Sequence, residues 1–174
     1  AYATFLDRAG IDAKGMAPIQ PWLAEIKAAT RAGSPALAAR AARMGVRAPV
    51  GAYVGPDRKQ PDVYALNMGQ SGLGMPDRDY YLSSDAKLVQ VRTAYQAHLA
   101  RLLTLAGEAN APARAQAIVA FETRIARAHW TRTESRDANR TYNKMTLAQL
   151  HAAAPGFDFA RYFQEMGTPV ETVI

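Results

Sequence analysis

Three histidines, a few carboxylates and Ser71 are the residues whose types and settings could do chemistry, and their spacing decides which chemistry. His98, His129 and His151 stand 31 and 22 positions apart. Metal-assisted hydrolysis calls for two histidines one helical turn apart with a general base beside them. No His-x-x-x-His or His-Glu-x-x-His occurs. His98 falls on the face of Tyr95, Leu99 and Leu102, which predicts a hydrogen-bonded core histidine. His129, beside Trp130 at a helix end, predicts packing or capping, and His151, among alanines, an exposed side chain. Glu122, Glu134 and Asp137 offer carboxylates for acid–base work, but nothing nearby supplies a nucleophile. Glu122 lies near the apolar face of its helix, which predicts a buried ion pair with an arginine. Ser71 lacks the Gly-x-Ser-x-Gly elbow. Gly69-x-x-Gly72-x-Gly74 departs from the dinucleotide fingerprint and runs into Pro76 rather than into a helix. The residues define no catalytic site and no site for a metal or cofactor.

The elements that hold these residues centre on 67–82. Three glycines within six residues (Gly69, Gly72, Gly74) permit backbone angles that a side chain forbids. Pro76 fixes one φ and pushes Met75 away from helical geometry. Asp77, Arg78 and Asp79 alternate charge where the chain must turn, and Tyr80, Tyr81 and Leu82 supply an apolar anchor whose two hydroxyls need partners. A shaped loop, fixed at both ends, is expected between a hairpin and a long helix.

Around it the periodicity is mostly helical. Ile19, Trp22, Leu23 and Ile26 follow helical spacing up to Gly33; Ser34 is read as the next N-cap, with Leu37, Ala41 and Met44 on the buried face. Alternation then predicts an antiparallel hairpin, about 49–54 and 62–68, around a loop from Gly55 to Pro61. An isolated hairpin is marginal in water, so helices must cover it. Ser83 or Ser84 is read as the cap of a long helix whose stripe runs Leu88, Val91, Tyr95, Leu99, Leu102, Leu103 to Gly107. The following helix is expected to bury Ile118, Phe121, Ile125 and Trp130. Thr146 and Gln149 form a capping box with Met145 and Leu150 as staple, Asp158 caps the last helix and Gly167 stops it. The fold class is therefore mainly α, five to seven helices with one hairpin, as a single domain over 1–174.

Composition narrows the function classes. There is no cysteine, which removes disulfides and thiolate zinc sites. The net charge is +6, but the arginines are dispersed and not interleaved with aromatics, which argues against a nucleic-acid groove. No apolar run is long enough to span a membrane. The first residues lack a signal core, and the last, Thr172-Val173-Ile174, lack a polar tail or helix stop. Both ends read as cut, so a fragment of a longer protein is expected.

Two ordered blocks carry a family resemblance. Gln70-x-Gly72-Leu73-Gly74-x-Pro76-Asp77-Arg78-Asp79-Tyr80-Tyr81-Leu82 resembles a loop in the non-catalytic half of neprilysin-type, PepO-like zinc metallopeptidases. Arg136-Asp137, Tyr142-Asn143-Lys144-Met145-Thr146-Leu147 and Ala154-Pro155-Gly156-Phe157-Asp158-Phe159 are similar to the same family in the same order. Met75 replaces the usual Leu, and 138–140 match loosely. The resemblance implies a helical lid-type domain facing a zinc catalytic domain, which is expected downstream in the same chain. It implies that zinc belongs to the full-length parent and not to this fragment, that peptides are the parent's substrates, and that the compartment is periplasmic or extracellular. No catalytic or zinc residue of the family can be placed here. Gln70, Gly72, Gly74, Pro76, Asp77, Arg78, Asp79, Tyr80 and Tyr81 are then the structural motif loop. Arg136, Asp137, Tyr142 and Asn143 either tie helices together or line the cavity. The other reading is a free-standing helical adaptor that binds a partner protein. In either case, apolar surface left by truncation is expected to drive self-association of the isolated fragment.

Overall fold

A computed structural model describes residues 2–47 and 50–174. The chain opens with three short helices, α1 (Tyr2–Leu6), α2 (Arg8–Lys14) and α3 (Gln20–Ala28), none of which buries a residue. In α4 (Ser34–Arg43) Pro35, Ala36 and Ala39 are buried, rather than the expected face of Leu37, Ala41 and Met44. Small side chains let α4 approach α10 (Phe159–Met166) closely, and Met44 is left outside. Gly33, not Ser34, is the N-cap; the Ser34 hydroxyl donates to the Arg31 carbonyl.

The hairpin is longer than its alternation suggests. β1 (Val50–Asp57) pairs antiparallel with β2 (Gln60–Gln70), so the predicted seven-residue loop shrinks to Arg58-Lys59; Pro49 lies outside the described residues. The turn closes because Asp57 Oδ1 accepts from the Lys59 N–H at 2.9 Å, an Asx-type bond that replaces a backbone turn. The hairpin also does not stand alone. β4 (Thr172–Val173) pairs parallel with β2 and antiparallel with β3 (Met145–Thr146), which gives the order β1-β2-β4-β3. Leu66, Val173 and Ala39 form one core with Phe159, Tyr162 and Phe163. Phe157 joins the α10 rings at tilted geometries, 4.8 Å from Phe159 and 5.6 Å from Tyr162 between centroids, distances at which aromatic pairs add to simple burial.

The second unit of packing is the helical pair α6 (Ala86–Leu105) and α7 (Ala111–Ala128), with the short α5 (Asp79–Leu82) laid across both. Asp85, not Ser83 or Ser84, caps α6 by accepting from the Lys87 and Leu88 N–H groups. The buried residues of α7 are Ala111, Ala115, Val119 and Ala126, while Phe121 is 54% exposed. The predicted face is thus rotated by about one residue, because the alanines set the close helix–helix contact. The α6 stripe is half-buried at best, and Val91 and Leu102 face outward. His98 is exposed, not a core histidine.

Two further short helices complete the chain: α8 (Arg132–Ser135), capped by a Thr131/Glu134 box, and α9 (Leu147–Ala153), capped by the expected Thr146/Gln149 box. Asp158 and Gly167 start and stop α10 as predicted. Among the described residues there are ten α-helices rather than five to seven; the surplus is short. The chain is mainly α with a small mixed sheet that contains the hairpin.

Candidate functional site

The loop 70–82 is held at nearly every residue. Gln70 donates from Nε2 to the Trp130 carbonyl (3.2 Å) and accepts at Oε1 from the Trp130 N–H (2.8 Å). Its side-chain amide therefore pairs with a backbone unit as a neighbouring strand would. The Ser71 carbonyl accepts from His129 Nε2 at 3.1 Å, which places the imidazole proton on that nitrogen. Gly72 has φ of +88°, in the left-handed region. Arg47 donates to the Leu73 carbonyl at 3.1 Å.

Gly74 is the tightest point. A Cβ there would lie 1.9 Å from the Tyr95 hydroxyl oxygen, so any side chain would push Tyr95 off its place. Its N–H donates to Glu122 Oε1 at 3.1 Å, and that oxygen also accepts from the Tyr95 hydroxyl at 3.2 Å. The Tyr81 hydroxyl donates to Glu122 Oε2 and accepts from the Met75 N–H, both at 2.9 Å. Glu122 thus joins α6, α7 and the loop through tyrosine hydroxyls, not through the arginine ion pair expected from sequence. Burial, reinforced by the Glu122 carboxylate, pushes the Tyr81 hydroxyl well above the ordinary phenol value and Tyr95 up to about 12. Both phenols stay protonated donors at any physiological pH.

The remaining motif residues fix the exit of the loop. Pro76 is exposed between the buried Met75 and the half-buried Asp77. Asp77 Oδ1 accepts from the Asp79 N–H at 2.8 Å and starts α5, while its Oδ2 pairs with Arg132. Arg78 Nε donates to the Ala126 carbonyl at 3.3 Å. Arg92 Nη1 donates to the carbonyls of Tyr80 (3.1 Å) and Tyr81 (2.7 Å), which gives two C-terminal carbonyls of α5 a partner.

The second block folds around Asp57. Tyr142 donates to Asp57 Oδ2 at 3.1 Å and Lys144 Nζ reaches the same oxygen at 3.0 Å. Asp57 is fully buried, and its pKa falls to about 2, chiefly because it accepts from the Lys59 N–H, then through Lys144 and Tyr142. The Asp57 hydrogen bond holds the Lys144 ammonium above its ordinary value. Arg58 donates to the Thr141 hydroxyl and carbonyl, both at 3.0 Å, and Lys59 Nζ sits 4.3 Å from the centre of the Tyr142 ring. Asp137 Oδ1 accepts from the Asn139 and Arg140 N–H groups, and Asn143 Nδ2 donates to the Arg140 carbonyl at 2.8 Å. Tyr142 therefore fastens the hairpin tip to the segment before β3, while the Asp137 and Asn143 bonds shape that segment from within. Arg136 is exposed and makes no such tie among the described residues. Sequence reasoning missed Asp57, Arg92, Arg47 and Lys144. Asp57 carried a signal, as an Asp opening a charged two-residue turn, and Lys144 stood inside the second block without being singled out.

Residues 1–174 match the family model described as Peptidase family M13, in its N-terminal part. The chain belongs to peptidase family M13. Endothelin-converting enzyme 1 of Cavia porcellus is 33% identical over 121 residues, which cover 68% of this chain and 16% of that protein. Endothelin-converting enzyme-like 1 of Mus musculus is 31% identical over 124 residues, with the same shares. The crystal structure of Mycobacterium tuberculosis zinc metalloprotease ZMP1 in complex with an inhibitor superposes with a TM-score of 0.88 at 35% identity, covering 99% of this chain and 27% of that one. PepO from Lactobacillus rhamnosis, 18% identical with a TM-score of 0.73 over 92% of this chain and 26% of that one, shares the fold. The chain spans about a sixth of the curated relatives and about a quarter of the solved structures it matches. Among the described residues of this M13 N-terminal region, no three His, Asp or Glu side chains converge to hold a metal. No described helix is long and apolar enough to cross a membrane.

Proposed function

We propose that this chain is the lid-side wall of a zinc metalloendopeptidase that cleaves small peptides, with the catalytic domain on the same parent polypeptide. The observation that carries the reading is the match along 99% of the chain to a zinc metalloprotease at 35% identity. The wall acts by shape: it admits short flexible chains, excludes folded proteins and keeps bulk water from a held substrate. The motif loop 70–82 sets the hairpin against α6 and α7, and the Asp57 cluster fixes the hairpin tip, so the wall keeps its form when a peptide presses on it. Zinc and the catalytic residues belong to the rest of the parent, and apolar surface on this chain meets that part.

The test uses the full-length protein, a quenched fluorescent peptide of about ten residues and the same sequence inserted in a loop of a folded domain. The free peptide is cleaved, the inserted one is not, and a chelator abolishes turnover until zinc is restored. The 174-residue chain alone is inert. Chelator-insensitive cleavage, equal cleavage of both substrates, or turnover by the isolated chain would overturn the proposal.

A further inference from the structure

Two cavities adjoin on the sheet side of the molecule, with Gln70, Trp130 and Ser135 lining both. The larger, about 750 Å³, takes Gly55 and Gly69 of the hairpin into its lining, beside Asn67, Met68 and Gln70. Gly51 pairs across the hairpin with Gly69 and Gly55 with Ala65, and Tyr53 pairs with Asn67 on the same face of the alternation. A Cβ added at Gly69 meets nothing within 4 Å, so the space above it is open. Tyr53, 65% exposed and laid against Gly55, and Trp130, 37% exposed with Arg140 5.0 Å from its ring centre, line the cavity as its aromatic residues. The smaller cavity, about 490 Å³, has the opposite character. Arg47, Arg78, Arg132 and Arg136 line it against the single carboxylate of Asp77. Arg47 and Arg78 already donate to backbone carbonyls and Arg132 pairs with Asp77. Arg136 alone of the four has no acceptor among the described residues.

We propose that this paired cleft binds an extended acidic peptide: its main chain lies over the open side of Gly69 between Tyr53 and Trp130, and a carboxylate reaches Arg136 and Arg132. An open glycine such as Gly69 lets a second backbone come close, which is what glycine in a strand interior often marks. Tyrosine and tryptophan give contact area with few rotors to immobilise. A guanidinium without a partner, in a concave site of net positive charge, selects a planar oxyanion by paired N–H donors. A peptide combines these requirements, because its extended part fits the open side of Gly69 and an Asp or Glu side chain, or its own terminal carboxylate, fits the arginines.

The reading is separable from hydrolysis, and so is its test. Fluorescence anisotropy on the full-length protein, recorded before turnover, compares labelled heptapeptides with a central Asp or Asn, each with a free or an amidated C-terminus. The Asp peptide is expected to bind about tenfold more tightly than the Asn peptide, in line with a hydrogen bond to a charged group. If the terminal carboxylate is the ligand, amidation instead of Asn causes the loss. Arg136→Gln removes whichever preference is seen. Gly69→Val, whose Cβ meets nothing within 4 Å, weakens all the peptides at least tenfold while the thermal midpoint holds. Equal affinity of all four peptides, or a Gly69→Val variant that binds like the parent, overturns the proposal. Zinc-dependent cleavage of a neutral peptide with no such discrimination would sink this inference alone; peptide binding without cleavage would sink the peptidase reading and leave the cleft standing.

Discussion

At the scale of single residues, two carboxylates organise the molecule, and each makes a different prediction. Glu122 accepts from two tyrosine hydroxyls and the Gly74 N–H. Glu122→Ala leaves all three donors unmatched and should cost about 2–3 kcal/mol, read from urea denaturation. Adding Tyr81→Phe to that variant should cost little more, since the two residues share one network. Asp57 has a folded pKa near 2 against an ordinary value of 3.8. A depressed carboxylate contributes stability that is complete above its unfolded pKa and lost as pH falls through the folded one. Thermal midpoints should therefore drop as the pH goes from about 4 towards 2. Asp57→Asn should lower stability at neutral pH and flatten this limb; part of the limb persists, because Glu108 and Glu134 are also held below their usual values by Lys27 and Thr131. An unchanged acid limb in Asp57→Asn would show that the carboxylate does not act this way.

At the scale of elements, the outcome separates local from non-local information. The Thr146/Gln149 box, the Asp158 cap and the Gly167 stop were legible because each depends on residues three or four apart. Thr146→Ala should cost about 1 kcal/mol, with faster amide exchange confined to α9; a global loss of protection would contradict a purely local cap. The buried face of α7 was not legible, since Phe121 and Ile118 outweigh Ala115 and Val119 on any hydrophobicity scale. What decided it was how closely α6 and α7 approach, and neither helix encodes that alone. The 70–82 loop was legible as a constrained segment from its glycines and its proline. Its partners Arg47, Arg92, Glu122 and His129 come from four other places in the chain, so no local pattern could reveal them. For the same reason α5, within the motif, was read as a turn.

At the scale of the whole molecule, large apolar side chains remain uncovered. Tyr2, Phe5 and Leu6 on α1 are 74%, 74% and 57% exposed, and Leu105 and Phe121 on the helical pair are 72% and 54% exposed. Surfaces of this kind mark interaction sites or association. Sedimentation of the isolated 174-residue chain should show concentration-dependent oligomers, and Leu105→Ser with Phe121→Ser should shift it towards monomer; an isolated chain that stays monomeric at high concentration would refute the expectation. The sheet has a further consequence, in the order of events during synthesis. Leu66 of β2 is paired with Val173, more than a hundred residues later, whereas α6 and α7 contact each other across a short turn. Loop closure over such a span is slow compared with neighbouring helices docking. On the ribosome the helical pair can therefore assemble while the ribbon waits with one edge unsatisfied. That interval is when a chaperone, or a mispaired strand, has its chance.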